Sequence, residues 1–122
     1  MITAYICSPF RANTATELKR NIQYAQMLTR KAIEAELAPI TPHLYITQVV
    51  RDDIEQERQQ GLKAGLALLD CCEILILGKY YGISDGMRAE IEKARKNNIK
   101  IVTEKELEEE IKLLRNRKRG QQ

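Results

Sequence analysis

The sequence predicts an α/β fold: a single domain built on an open parallel sheet of four to five strands, Rossmann- or flavodoxin-like, with helices on both faces. Three observations carry this expectation. Short apolar runs rich in β-formers alternate along the chain with longer segments whose apolar residues recur every three or four positions. One run, Glu73-Ile-Leu-Ile-Leu77, is nearly continuously apolar, as a strand covered on both faces must be. The 122 residues suffice for one core and no second domain, and no internal repeat or linker interrupts them.

In chain order, Ile2–Cys7 reads as the first strand, closed by Ser8-Pro9. Thr14-Ala-Thr-Glu17 fits a capping box, and Leu18, Ile22, Ala25, Leu28 and Ala32 extend a helical stripe to Glu36. Leu37–Ile40 is a brief second strand, stopped by Thr41-Pro42. His43–Val50 is apolar enough for a fifth strand and reads equally well as a loop. Arg51–Asp70 carries Ile54, Leu62, Leu66 and Leu69 at helical spacing despite Gly61 and Gly65. After the strand Glu73–Leu77 and a loop over 78–83, Ser84 caps a helix to Asn98. Ile99–Val102 is the next strand, and Thr103 opens a last helix ending near Leu114. The domain is therefore drawn over residues 1–114, with 115–122 as a basic flexible tail.

At 43% hydrophobic and 30% charged the composition is that of a soluble globular chain. No apolar stretch is long enough for a membrane span, and the first residues lack the pattern of a secretory signal, so a cytoplasmic location is expected. The net charge of +3 is concentrated in Arg115, Arg117, Lys118 and Arg119, and without these four the chain is close to neutral. With few aromatics (five Tyr, one Phe, no Trp), nucleic acid is not an expected partner. Cys7, Cys71 and Cys72 lack metal-site spacing and read as buried free thiols in a reducing compartment. His43 is the only histidine, so no multi-histidine site exists, and neither metal nor cofactor is expected.

In a parallel sheet ligands bind beyond the carboxyl ends of the strands, here the loops 8–13, 41–50, 78–84 and the turn at 103. Glu90 lies beside the inward stripe Met87, Ile91, Ala94. A carboxylate there is either desolvated, with a raised pKa, or a boundary residue paired with Lys93 or Lys96. Ser84-Asp85-Gly86 presents a hydroxyl and free backbone N–H groups to a phosphate, or is a plain N-cap with an acidic first turn. The loop Ser8-Pro-Phe10-Arg11-Ala-Asn13 lacks the glycines of a dinucleotide fingerprint, and Arg11 is a phosphate contact or an ordinary surface arginine. Tyr5 by itself reads as a core tyrosine, and Asp52 and Asp53 as exposed acids opening a helix.

Together these motifs resemble the nucleoside 2-deoxyribosyltransferase-like superfamily over residues 2–102. Tyr5-Ile-Cys-Ser-Pro-Phe-Arg11 is similar to its opening strand and loop, and Thr41-Pro-His43-Leu to its second loop. The run 73–77 with Ser84-Asp-Gly-Met-Arg-Ala-Glu90 is similar to its strand–loop–helix bearing the nucleophile. The pattern most resembles 2′-deoxynucleoside 5′-monophosphate N-glycosidases and small bacterial and phage proteins sharing the S-P-F-R and S-D-G-M-x-x-E motifs. The resemblance implies Glu90 as nucleophile at sugar C1′ and Tyr5 as the aromatic that orients it. It implies substrate contacts from Ser8, Phe10, Arg11, His43, Ser84, Asp85, Gly86 and Met87. Ser84 would serve a neighbouring subunit's substrate, so a homodimer or larger homo-oligomer is implied. Aligned on Glu73, the position where the family carries an aspartate near base and sugar is Gly65.

Two functions follow as expectations. One is an N-glycosidic hydrolase or deoxyribosyltransferase acting on a (deoxy)nucleoside or its 5′-monophosphate. The other is a non-catalytic protein that sequesters or senses a nucleotide in the same pocket.

Overall fold

The computed structural model describes residues 1–121. Strands β1 (Thr3–Cys7), β2 (Ala38–Ile40), β3 (Ile74–Leu77) and β4 (Lys100–Thr103) alternate with helices α1 (Ala15–Glu34), α2 (Glu55–Asp70), α3 (Asp85–Lys96) and α4 (Glu104–Gly120). The strands form one parallel sheet in the order β2-β1-β3-β4. All carboxyl ends therefore share one edge, and the connections from β1 and β3 diverge there. The sheet has four strands. The segment considered for a fifth forms two short 3-10 turns, Pro42–Leu44 and Ile46–Gln48. Pro42 suits a helical first position, and the local bonds Leu44 N–H to Thr41 O and Tyr45 N–H to Pro42 O keep the segment on itself.

Alternation along β1 divides the core. Ala4 and Ile6 pack with Tyr24, Leu28 and Ala32 of α1 and with Leu107 and Ile111 of α4. Tyr5 and Cys7 point to the opposite face, among Leu69 of α2 and Met87, Ile91 and Ala94 of α3. The first face is tightly tied: Lys31 bridges Glu104 and Glu108, and the Tyr24 hydroxyl donates to Glu104 at 2.6 Å. The second face is where the cleft opens.

Several local expectations are modified. Thr14 caps α1 by accepting from Glu17 N–H at 3.1 Å, while Glu17 reaches back to Asn13 N–H rather than to the cap itself. The inward stripe of α1 is Asn21, Tyr24, Ala25, Leu28 and Ala32. Leu18, expected inside, is exposed at the rim of a cleft, and Asn21 turns inward in its place to donate to the Phe10 carbonyl. Cys71 is exposed, whereas Cys7 and Cys72 are buried, and all three are free. Residues 115–120, expected as flexible tail, continue α4: Arg115 pairs with Glu34 and Lys118 with Glu36. Basic residues also suit a helix C-terminus. Of the tail, Gln122 lies outside the described residues. Among the described residues no helix is long and apolar enough to cross a membrane.

α1 and α3 both end on left-handed residues, Glu36 (φ 61°) and Asn98 (φ 57°). Asparagine adopts that conformation at less cost than glutamate, and the Lys118 pair to Glu36 is exposed and weak. Glu36→Gly is expected to stabilise the protein by about 1 kcal/mol. Urea unfolding measures this, and a loss of stability would contradict it.

Candidate active site

A cleft of about 1000 Å³ opens at the carboxyl edge of β1 and β2. Phe10 and Arg11 follow β1, His43, Ile46 and Thr47 follow β2, α2 supplies Gly61, Leu62, Gly65 and Leu66, and α3 supplies Asp85, Gly86 and Glu90. Tyr5 and Glu90, both buried, line it from the sheet and from α3.

Glu90 belongs to the buried stripe of α3, with Met87, Ile91 and Ala94, and is only 7% exposed. Its Oε2 has no hydrogen-bond partner. Lys93, one of its expected partners, instead binds Asp70 at 3.0 Å. Burial pushes the Glu90 carboxyl up to about 7, and the Tyr5 hydroxyl beside it opposes the shift. Tyr5 itself is pushed up, first by burial and then by the Glu90 charge, so it stays a neutral phenol. Burial and the same charge also raise the Cys7 thiol, which points at the Met87 carbonyl at 3.9 Å and is no nucleophile. One carboxyl, poised between its two protonation states near neutrality, thus faces the cleft. Such a group serves as nucleophile or general base.

The wall after β1 and β2 is flat and aromatic. Phe10 and His43 stack with centroids 5.3 Å apart and planes 19° apart. Burial lowers the His43 pKa against the pull of the Ser8 carbonyl, so the ring is neutral at pH 7. At the mouth, Arg11 Nε and Arg58 Nε each lie 3.7 Å from a different oxygen of Asp52.

The structure brings Tyr5, Phe10, Arg11, His43, Asp85, Gly86 and Glu90 to one cleft. Ser8, Ser84 and Met87 do not line it. Ser8 is buried with its Oγ unpartnered, and Met87 lies in the core. Ser84 is the N-cap of α3: its Oγ accepts from Met87 N–H at 3.3 Å. Asp85 is exposed and pairs with Arg88. Three contributors escape a reading from sequence. Arg58 carries no local signal, and Leu62, legible only as one residue of an apolar helical stripe, is aimed at the cleft by the docking of α2. Asn21 did carry one, a polar residue inside an apolar helical stripe. Its Nδ2 donates to the Phe10 carbonyl at 3.1 Å and its Oδ1 accepts from Arg20, whose guanidinium lies 4.1 Å from the Tyr81 ring centroid. Asn21 thereby fixes the loop that carries Phe10 and Arg11.

Because the folded Glu90 pKa exceeds its unfolded value, the group costs stability progressively as pH rises from about 4.5 through about 7. Glu90→Gln is therefore expected to match wild type near pH 4 and to exceed it above pH 7 by up to about 3 kcal/mol. Denaturant unfolding across that range tests this, and a difference independent of pH would contradict it.

Residues 2–104 match the family described as a domain of unknown function, DUF7768. No curated protein matches the chain. Among solved structures it is similar to a 2-deoxyribosyltransferase from the psychrotolerant bacterium Bacillus psychrosaccharolyticus, with a TM-score of 0.62 and 15% identity over 83% of this chain and 70% of that one. At that identity the likeness is one of fold.

Proposed function

The chain belongs to the DUF7768 family, and we propose that it cleaves the N-glycosidic bond of a nucleoside or nucleoside 5′-monophosphate through Glu90. One observation carries the proposal: a buried carboxyl with an unpartnered oxygen faces a large cleft beside a neutral tyrosine. The similarity in fold to a 2-deoxyribosyltransferase supports nucleosides as the ligand class.

In the proposed reaction a Glu90 carboxylate oxygen forms a bond to C1′ as the C1′–N bond breaks. The base departs with that electron pair and takes a proton from water. A second water then attacks C1′, regenerating the carboxylate, freeing the sugar and releasing a proton; a second base attacking instead gives transfer. A carboxylate suits this chemistry because the transition state is oxocarbenium-like and the glycosyl ester is reversible. Tyr5 orients the carboxylate, and the Phe10–His43 stack offers the base a flat, uncharged surface. Arg11 at the mouth is the proposed 5′-phosphate contact, since its exposed pair with Asp52 is weak enough to exchange. The Ser84 hydroxyl, which only accepts within its own helix, keeps its proton for a ligand, in the proposed homo-oligomer that of a neighbouring subunit.

A second reading, nucleotide binding without turnover, is favoured by Gly65. It stands beside Tyr5 where an acid would protonate a departing base, so the chain itself supplies no such proton there.

The test is chromatographic detection of free base from a panel of nucleosides, deoxynucleosides and their 5′-monophosphates. Wild type is expected to release base at a rate that rises with pH through about 7, as Glu90 ionises. Glu90→Gln is expected to abolish release while retaining binding. Binding by wild type without release selects the second reading, and undiminished release by Glu90→Gln overturns the nucleophile.

A further inference from the structure

The reaction proposed above occupies one end of the cleft. α2 measures out the rest, because its cleft-facing residues fall on successive turns: Gly65 beside Tyr5, then Gly61 and Leu62, then Arg58 at the mouth. From residue 58 to residue 65 the helix rises about 10 Å. At about 1000 Å³ the cleft is at the upper end of small-molecule sites, with room for more than one nucleoside.

Two features of this outer part have no role in the reaction as drawn. The first is apolar. Ile46 and Val50 pack on α2 where Gly61 admits them: a Cβ at Gly61 would come within 3.1 Å of Val50 Cγ2 and 3.4 Å of Ile46 Cγ2. With Leu62 they form an aliphatic shelf inside the cleft. The second feature is cationic. The Arg58 side chain is only 28% exposed, yet its guanidinium stands 3.7 Å from Asp52 and 3.5 Å from Glu55. Charge-assisted hydrogen bonds run at about 2.7–2.9 Å, so these donors are loosely engaged. Arg11, from the loop after β1, stands 3.7 Å from the other oxygen of the same Asp52 carboxylate. Two guanidinium groups from two elements thus flank one carboxylate, and neither is hydrogen-bonded to it.

We infer that the ligand carries a 5′-pyrophosphate, with Arg11 taking one phosphate and Arg58 the next as both give up Asp52. The inference rests on the nucleoside reading above and extends it outward, since a monophosphate needs only Arg11. Oxygens on two phosphorus atoms satisfy two planar forks, which one carboxylate at these distances does not. A nucleoside diphosphate and a dinucleotide share this chemistry. The aliphatic shelf, on the turn of α2 between Gly65 and Arg58, is where a dinucleotide bent at its pyrophosphate would lay its second base.

Calorimetric titration of wild type, Arg58→Gln and Asp52→Asn tests this. The probes are 2′-deoxyadenosine, 2′-deoxyguanosine, 2′-deoxycytidine and thymidine, their 5′-mono- and 5′-diphosphates, and NAD+. Thermal unfolding without ligand controls for folding, and Tm is expected to stay near that of wild type because the pairs removed are loose and partly exposed. Wild type is expected to bind NAD+ or the diphosphate of its preferred nucleoside about ten-fold or more tighter than the monophosphate. Arg58→Gln is expected to bring that ratio close to one, and Asp52→Asn, which frees both arginines, to raise it. Tighter NAD+ assigns the pyrophosphate to a dinucleotide, and a tighter diphosphate assigns it to a free terminal phosphate. A ratio near one in wild type, one unaffected by Arg58→Gln or one lowered by Asp52→Asn would overturn the inference and leave the nucleoside reading intact. Binding of none of the probes by wild type would overturn the nucleoside reading, and the inference with it.

Discussion

A carboxyl group held almost dry at the edge of a parallel sheet is the constraint around which this protein is organised. Burying an ionisable side chain with an open lone pair costs stability unless the group gives up its charge. α3 is built to carry that cost. Ser84 caps its first turn, Lys93, Arg95 and Lys96 complement its last, and Met87, Ile91 and Ala94 seat it on the sheet. The result is a stable helix with one discordant residue in its buried stripe. Such local discord, inside an otherwise consistent sequence, is where function is usually found.

The two faces of the sheet divide the work. On one, α1 and α4 close over Ala4 and Ile6, and the Lys31, Glu104, Glu108 and Tyr24 contacts lock the helices together. On the other, α2 is held less fully, with Gly65 and Leu69 its buried residues and Leu62 left bordering the cleft. The rigid face supports the loops that matter. Asn21 on α1 holds the Phe10 carbonyl, and the Tyr24 hydroxyl accepts from Tyr80 N–H after β3. The site is therefore anchored from the face opposite to the one it occupies.

Much of this was legible in the sequence because strand and helix periods are local signals. Apart from the end of α4, the four strands and four helices fall within a few residues of their expected limits, since Thr14, Ser84 and Thr103 mark helix starts chemically. His43–Val50 was ambiguous because β-branched residues suit both a strand and a turn, and only Pro42 argues for the latter. α4 runs past its expected end near Leu114 with its basic side chains still exposed, and the pairs of Arg115 with Glu34 and Lys118 with Glu36 join residues too far apart in the chain for periodicity to reveal. Glu90 was visible as a residue at the stripe's border. That it sits inside the stripe, and that Lys93 turns away to Asp70, depends on how α3 packs against α2. Arg58 and the openness beside Gly65 are properties of that packing alone.

Whether Glu90 is held buried and half-ionised near neutrality is settled by its protonation state in the folded protein. A carbon-13 NMR titration of the glutamate carboxyls, with Glu90 assigned by its absence from Glu90→Gln, reads it in the intact protein. One carboxyl is expected to titrate near 7, well above the ordinary value of 4.5. A Glu90 resonance titrating with the surface glutamates would contradict it, since a solvated, permanently ionised carboxylate is neither buried nor poised.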